Sequence, residues 1–226
     1  MCGRYALYAP HARLRERFEL QDELWDFPPR FNIAPSAMLP VVREEAGGVR
    51  RLVWARWGLT PSWVKESDDV PHPINAKVET AAIKPMFRHA FRASRILVPA
   101  DCFYEWKGVA GQKQPYLIRM RDQEPFGMAG LLEVREGVQG AEASFAILTT
   151  TANPLVATIH DRMPVIVRQE DYARWLAPDN RDVESLLGIT GPYPEREMEA
   201  FRIDRGINRS DAEGADLIQP VVDDSA

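Results

Sequence analysis

Cysteine is nearly absent from this chain. Two in 226 residues, Cys2 and Cys102, cannot build a disulfide framework, and neither sits in the C-x-x-C spacing of a zinc or redox site. Four scattered histidines likewise lack the paired spacing of metal ligands. Long apolar runs are missing too: no stretch approaches the about 18 apolar residues that a membrane span needs, and the N-terminus has no basic-then-apolar leader pattern. The expectation is a cytoplasmic protein with no metal, no cofactor and no membrane partner. Repeats are absent as well, and the only biased segment is the acidic end at 221–226, expected to fray.

What is present is an ordinary globular composition. Hydrophobic residues make up 45% and charged residues 27%, which excludes disorder for the bulk of the chain and favours one domain over 1–226. The net charge of −5 argues at first against a polyanionic partner. Its distribution is lopsided. Residues 1–121 carry 19 Lys and Arg against 13 Asp and Glu, while the remainder carries 9 against 20. Phosphate binding depends on local clusters of charge, so nucleic acid stays open if the basic residues converge on one groove.

Alternating or β-branched runs predict strands at 49–59, 96–106, 115–120, 126–134, 144–151 and 164–167. Gly-bearing turns at 108–111 and 137–140 separate several of them, which points to a mainly antiparallel sheet or barrel. Helices are expected at 11–20, 80–93, 154–159 and 169–176. Strands and helices come in blocks, so the class is α+β. In the 80–93 segment Ile83, Phe87 and Phe91 form an apolar stripe, with Lys84, Arg88, Arg92 and Arg95 along another face. A solvated outer face is the default reading of those cations; phosphate contact is the alternative.

Four places hold polar groups that packing does not demand. Cys2 follows the initiator methionine, and trimming of Met1 would leave a terminal amine and a thiol on adjacent carbons. Asn75 stands at the entry to the basic helix, where a cap or turn is the simpler role. Glu105 lies among aromatics at the end of an apolar run, and alternation puts it on the side of Phe103 and opposite Tyr104 and Trp106. On an apolar side, desolvation would raise its pKa toward neutrality, which suits proton transfer; an edge strand would turn it to solvent instead. His160 sits between a short helix and a strand, a junction that serves proton transfer and plain structure alike. Together they are the parts for covalent chemistry at a carbonyl.

With these residues in view the sequence resembles the SRAP family, the SOS-response-associated peptidase-like proteins that sense abasic sites in DNA. The likeness runs through Met1-Cys2-Gly3-Arg4, Asn32-Ile33-Ala34-Pro35, Trp57-Gly58 with Pro61 and Trp63, Ile74-Asn75-Ala76 with Glu79-Thr80, Glu105-Trp106-Lys107, His160 to Pro164, and Leu217 to Val221. Each piece is short, but their order and spacing together are specific. The resemblance implies a compact domain around a distorted β-barrel, with Cys2 as nucleophile and Asn75, Glu105 and His160 around it. It also implies that Arg4, Asn32, Lys77 and Arg162 line a path for single-stranded DNA or a junction with duplex, with Trp63 at its edge. Lys77 stands where many relatives have Arg, which removes the bidentate fork. Asp204 stands where several relatives carry a small hydroxyl residue.

The chemistry expected is capture of the ring-opened sugar aldehyde. The α-amine and the thiol have ordinary pKa values of about 8 and about 8.5, so reactive forms exist at neutral pH. The amine would form a Schiff base and the sulfur would close a five-membered thiazolidine, with high effective concentration favouring the ring. Lyase-like reversal through His160 belongs to the same expectation. A thiol autopeptidase that releases Met1 is the second reading, and a non-covalent reader of single-stranded DNA the third. A monomer, nucleoid-associated when bound to DNA, is the expected working state.

Overall fold

The computed structural model describes residues 2–21, 27–65, 70–109, 111–137 and 140–221. All but the first residue of the acidic end therefore lie outside the described residues. Among the described residues thirteen strands form in chain order: β1 (Tyr5–Leu7), β2 (Arg30–Ile33), β3 (Met38–Glu44), β4 (Arg50–Trp57), β5 (Asn75–Lys77), β6 (Arg95–Ala100), β7 (Cys102–Lys107), β8 (Gln114–Met120), β9 (Phe126–Gly137), β10 (Gly140–Thr151), β11 (Arg162–Pro164), β12 (Ile166–Val167) and β13 (Met198–Arg202). Six short α-helices accompany them among the same residues: α1 (His11–Phe18), α2 (Val78–Ala81), α3 (Arg88–Ala93), α4 (Pro154–Ala157), α5 (Tyr172–Leu176) and α6 (Val183–Leu187). The α+β expectation holds, and among the described residues no helix is long and apolar enough to cross a membrane.

The pairings β10-β4-β3-β6-β9, with β9 returning to β10, close a five-stranded barrel. Closure leaves its strands no open edge. Its antiparallel run is broken where β10 meets β4 in parallel, Ser144 opposite Arg56 and Phe145 opposite Trp57. Beyond that point β5 takes over as the parallel neighbour of β10, with Ile147 opposite Asn75 and Thr149 opposite Lys77. Gly130 marks a close approach inside the barrel: a Cβ there would fall 2.9 Å from Ile96 Cγ1. Trp57 and Trp175 are fully buried and donate their indole N–H groups to the carbonyls of Ile74 and Ile96, each at 2.9 Å, so neither leaves a polar atom stranded.

A second sheet, β13-β8-β7-β1-β2, is antiparallel throughout. Alternation divides its two faces. Tyr5, Leu7, Phe103 and Ile118 join the main core with the barrel residues, whereas Ala6, Cys102, Tyr104 and Leu117 make a smaller cluster on the other face. That outer cluster is completed by Ile203 and Ile207, with Leu217 and Ile218 packed against it, so the C-terminal strap serves as its cover.

Three expectations need correction. The run 96–106 is two strands in different sheets. The chain turns at Asp101, whose buried carboxylate accepts from the N–H groups of Tyr8 and Ala9 at 2.6 and 2.9 Å and is pushed by burial to a pKa of about 6. The 80–93 segment is not one helix: α2 and α3 are separated by turns around Pro85, whose ring cannot sit in a helix interior, and Ile83 is exposed rather than part of a buried stripe. Arg95 is no surface cation either. It is buried in β6, and its guanidinium donates to the carbonyls of Phe91, Trp175, Ala177 and Asn180. The tip of the 137–140 turn and Ala110 of the 108–111 turn lie outside the described residues. Strands β1, β2, β3, β5 and β13 go unread in the sequence, four of them because at three to five residues they offer too little alternation to detect.

Candidate functional site

Cys2 precedes β1, the strand inserted between β2 and β7 of the second sheet. It is fully buried. Burial, with the nearby Glu105 charge as the next cause, pushes its thiol well above the ordinary range, so the sulfur stays protonated at neutral pH. The side chain of Asn75, at the start of β5 on the barrel, donates from Nδ2 to the Cys2 carbonyl at 2.9 Å. Its Oδ1 is buried and has no hydrogen-bond partner among the described residues. Asn75 is thus no helix cap, and it stitches the barrel to the N-terminal strand.

Glu105 lies on β7 opposite Tyr116 and is 3% exposed, on the core side with Phe103 as alternation predicts. Burial raises its carboxyl above the ordinary value of 4.5, and the His160 ring draws it partly back. The two side chains share an open cleft of about 470 Å³, whose other walls come from Trp106, Lys113, Arg205 and Asn208.

His160 follows α4. That helix is capped by Asn153, whose Oδ1 accepts the Val156 N–H at 2.9 Å. The His160 Nδ1 accepts the Arg162 backbone N–H at 3.0 Å, which assigns the proton of the neutral ring to Nε2. Asp161 Oδ1 lies 2.9 Å from the same Nδ1. One nitrogen cannot accept from an amide and donate to a carboxylate at once, so charging the ring exchanges one partner for the other.

The residues expected to line a DNA path are arranged less uniformly. Lys77 is exposed at the end of β5, and Arg162 on β11 approaches the same stretch of β10. Arg162 is committed: both of its terminal nitrogens engage the Glu79 carboxylate, and one also reaches the Thr149 carbonyl. Asn32 is 1% exposed and faces inward, its Nδ2 donating to the carbonyls of Ile207, Arg209 and Ala212. Arg4 is half-buried and uses one terminal nitrogen on Asn32 Oδ1 and the Ile207 carbonyl. These two residues therefore moor the C-terminal strap to β1 and β2. Trp63 is 63% exposed and stands apart, beside Ser62, whose N–H is held by Glu133 of β9.

Two cleft residues, Lys113 and Arg205, escape the sequence reading. Lys113 sits in a glycine turn and Arg205 follows Asp204, and neither position carries a local signal of function. Asp204, unexplained in the sequence, caps the turn that bears Arg205: its Oδ1 accepts the Gly206 N–H at 2.7 Å. Among the described residues no three His, Cys, Asp or Glu side chains are grouped as metal ligands.

Comparison with known proteins places this geometry. The model of the SOS response associated peptidase (SRAP) family matches residues 1–210. The chain is 35% identical over 223 residues to the abasic site processing protein YoqW of Bacillus subtilis, covering 97% of this chain and 99% of the relative. It is 32% identical over 229 residues to the abasic site processing protein YedK of Escherichia coli, covering 98% and 100%. A crystal structure from Bacteroides thetaiotaomicron superposes with a TM-score of 0.86 at 23% identity, covering 98% of this chain and all of that one, a likeness of fold. A chain in which Cys2 is gripped from the barrel near the buried Glu105, and Glu105 shares a cleft with His160, thus belongs to the SRAP family.

Proposed function

We propose that this protein captures abasic sites in single-stranded DNA, or at a junction with duplex, by covalent attack from Cys2 once Met1 has been removed. The relatives named as abasic site processing proteins support the substrate class. The observation that carries the chemistry is the Asn75 grip: Nδ2 fixes the Cys2 carbonyl, and the buried Oδ1 offers an acceptor beside the residue whose nitrogen becomes the free amine.

The order of steps follows from burial. A thiol held protonated is a poor first nucleophile, so the amine attacks the aldehyde carbon. Water leaves as the imine forms, and the raised carboxyl of Glu105 supplies the proton that expels it. Sulfur then adds to the same carbon, its proton ends on the ring nitrogen, and a thiazolidine closes with water as the sole leaving group. Asn75 keeps the amine aimed throughout, and His160 exchanges protons at the sugar oxygen. A thiol peptidase needs thiolate at the outset, which the buried Cys2 disfavours.

Processed protein incubated with an abasic single-stranded oligonucleotide should give a heat-stable covalent band, with intact-mass spectrometry reporting loss of Met1 and gain of the DNA minus water. A full-strength stable band from Cys2→Ala, or from protein still carrying Met1, would overturn the reading. Salt-sensitive binding without any band would leave a plain single-strand reader instead.

A further inference from the structure

We propose that Lys113 and Arg205 form a phosphodiester-binding pair on the outer wall of the Glu105 and His160 cleft, gripping the DNA strand beside the trapped sugar. The substrate class rests on the reading above; the pair itself rests on geometry. Both side chains line the cleft that Glu105 and His160 enter. Among the described residues neither makes a side-chain hydrogen bond or ion pair, whereas Arg30, Arg50, Arg119 and Arg162 each hold a carboxylate.

Arg205 is carried on a turn fixed from several sides. Asp204 caps it through the Gly206 N–H, and a Cβ at Gly206 would fall 3.0 Å from that same carboxylate oxygen. Ile207 next to it gives its carbonyl to Arg4 and Asn32. Asn208 accepts the Trp106 indole N–H at 2.7 Å. Lys113 leads into β8 from the β7 turn, where Gly108 takes φ +113°. A guanidinium on a braced turn and an ammonium lining the same cleft suit one anion of single charge with two free oxygens. A phosphodiester has that form. On this account Asp204, Arg4 and Asn32 are positioning residues for Arg205.

The test uses the full chain carrying Cys2→Ala, which cannot close the ring, and an unmodified single-stranded oligonucleotide. Adding Lys113→Met and Arg205→Met should flatten the plot of log affinity against log salt by about 0.7, the share of one phosphate on a single strand. Lys107→Met, at an exposed position at the end of β7 on the other side of the same turn, should leave the slope as it is. A slope unchanged in the double variant, or lowered as far by Lys107→Met, overturns the pair. The covalent band with Cys2 restored is scored separately. A missing band with the slope still flattened would sink the ring chemistry and leave the phosphate site standing.

Discussion

The Asn75 side-chain amide donates to the Cys2 main-chain carbonyl at 2.9 Å, joining the barrel to the segment that leads into β1 of the second sheet. A terminus that would otherwise fray is thereby held near Glu105. Asn75→Ala should slow adduct formation about 10- to 100-fold by loss of aim. Asn75→Asp, which keeps the shape but loses the donor, should not restore the rate. Single-turnover band formation on an abasic oligonucleotide measures both.

Cys2→Ser retains the terminal amine and loses the sulfur. It should give an adduct that borohydride traps and that hydrolyses without it. A heat-stable adduct from the serine variant with no reductant would contradict ring closure by sulfur.

Glu105→Gln should trade activity for stability. The folded carboxyl titrates above the unfolded 4.5, so the folded state binds its proton more tightly. Stability is therefore lost as pH rises from 4.5 through the raised folded value, and the cost is complete above it. The glutamine variant should melt higher than the parent at pH 8, converge with it near pH 4, and form adduct slowly. A lower Tm at pH 8 would show that the charge is compensated.

Asn32→Ala strips the Arg209 and Ala212 carbonyls of their donor, leaves the Ile207 carbonyl to Arg4 alone, and takes from Arg4 its amide partner. Each such bond is worth about 1 kcal/mol, so the loss should be about 2–3 kcal/mol in urea unfolding. Cleavage within 205–218 should quicken under limited proteolysis.

Glu79→Gln should release Arg162 to DNA. Hydrogen bonds from Arg162 hold the Glu79 carboxyl below its ordinary value, so the pair stabilises the fold above the unfolded pKa and fades as pH falls through the folded one. Glu79 is largely exposed, and the stability change should stay below about 1 kcal/mol. Single-strand affinity should rise, with a salt slope steeper by about 0.7.

Local pattern in the sequence determined the α+β class, the long strands β4, β9 and β10, and the side of β7 on which Glu105 lies, because period-two alternation is a property of neighbouring residues. It also marked Cys2, Asn75, Glu105 and His160 as chemical parts. Tertiary structure alone decided that Asn75 would meet the Cys2 carbonyl and that Asn32, read as a DNA contact, would turn inward to moor a strap about 175 positions away. It decided too that Pro85 would split a helix, that Arg95 would be buried, and that Lys113 and Arg205 would share one cleft. Those outcomes depend on which strands close the barrel and which carbonyls are left in need of a donor, and such long-range matching leaves no trace in the spacing along the chain.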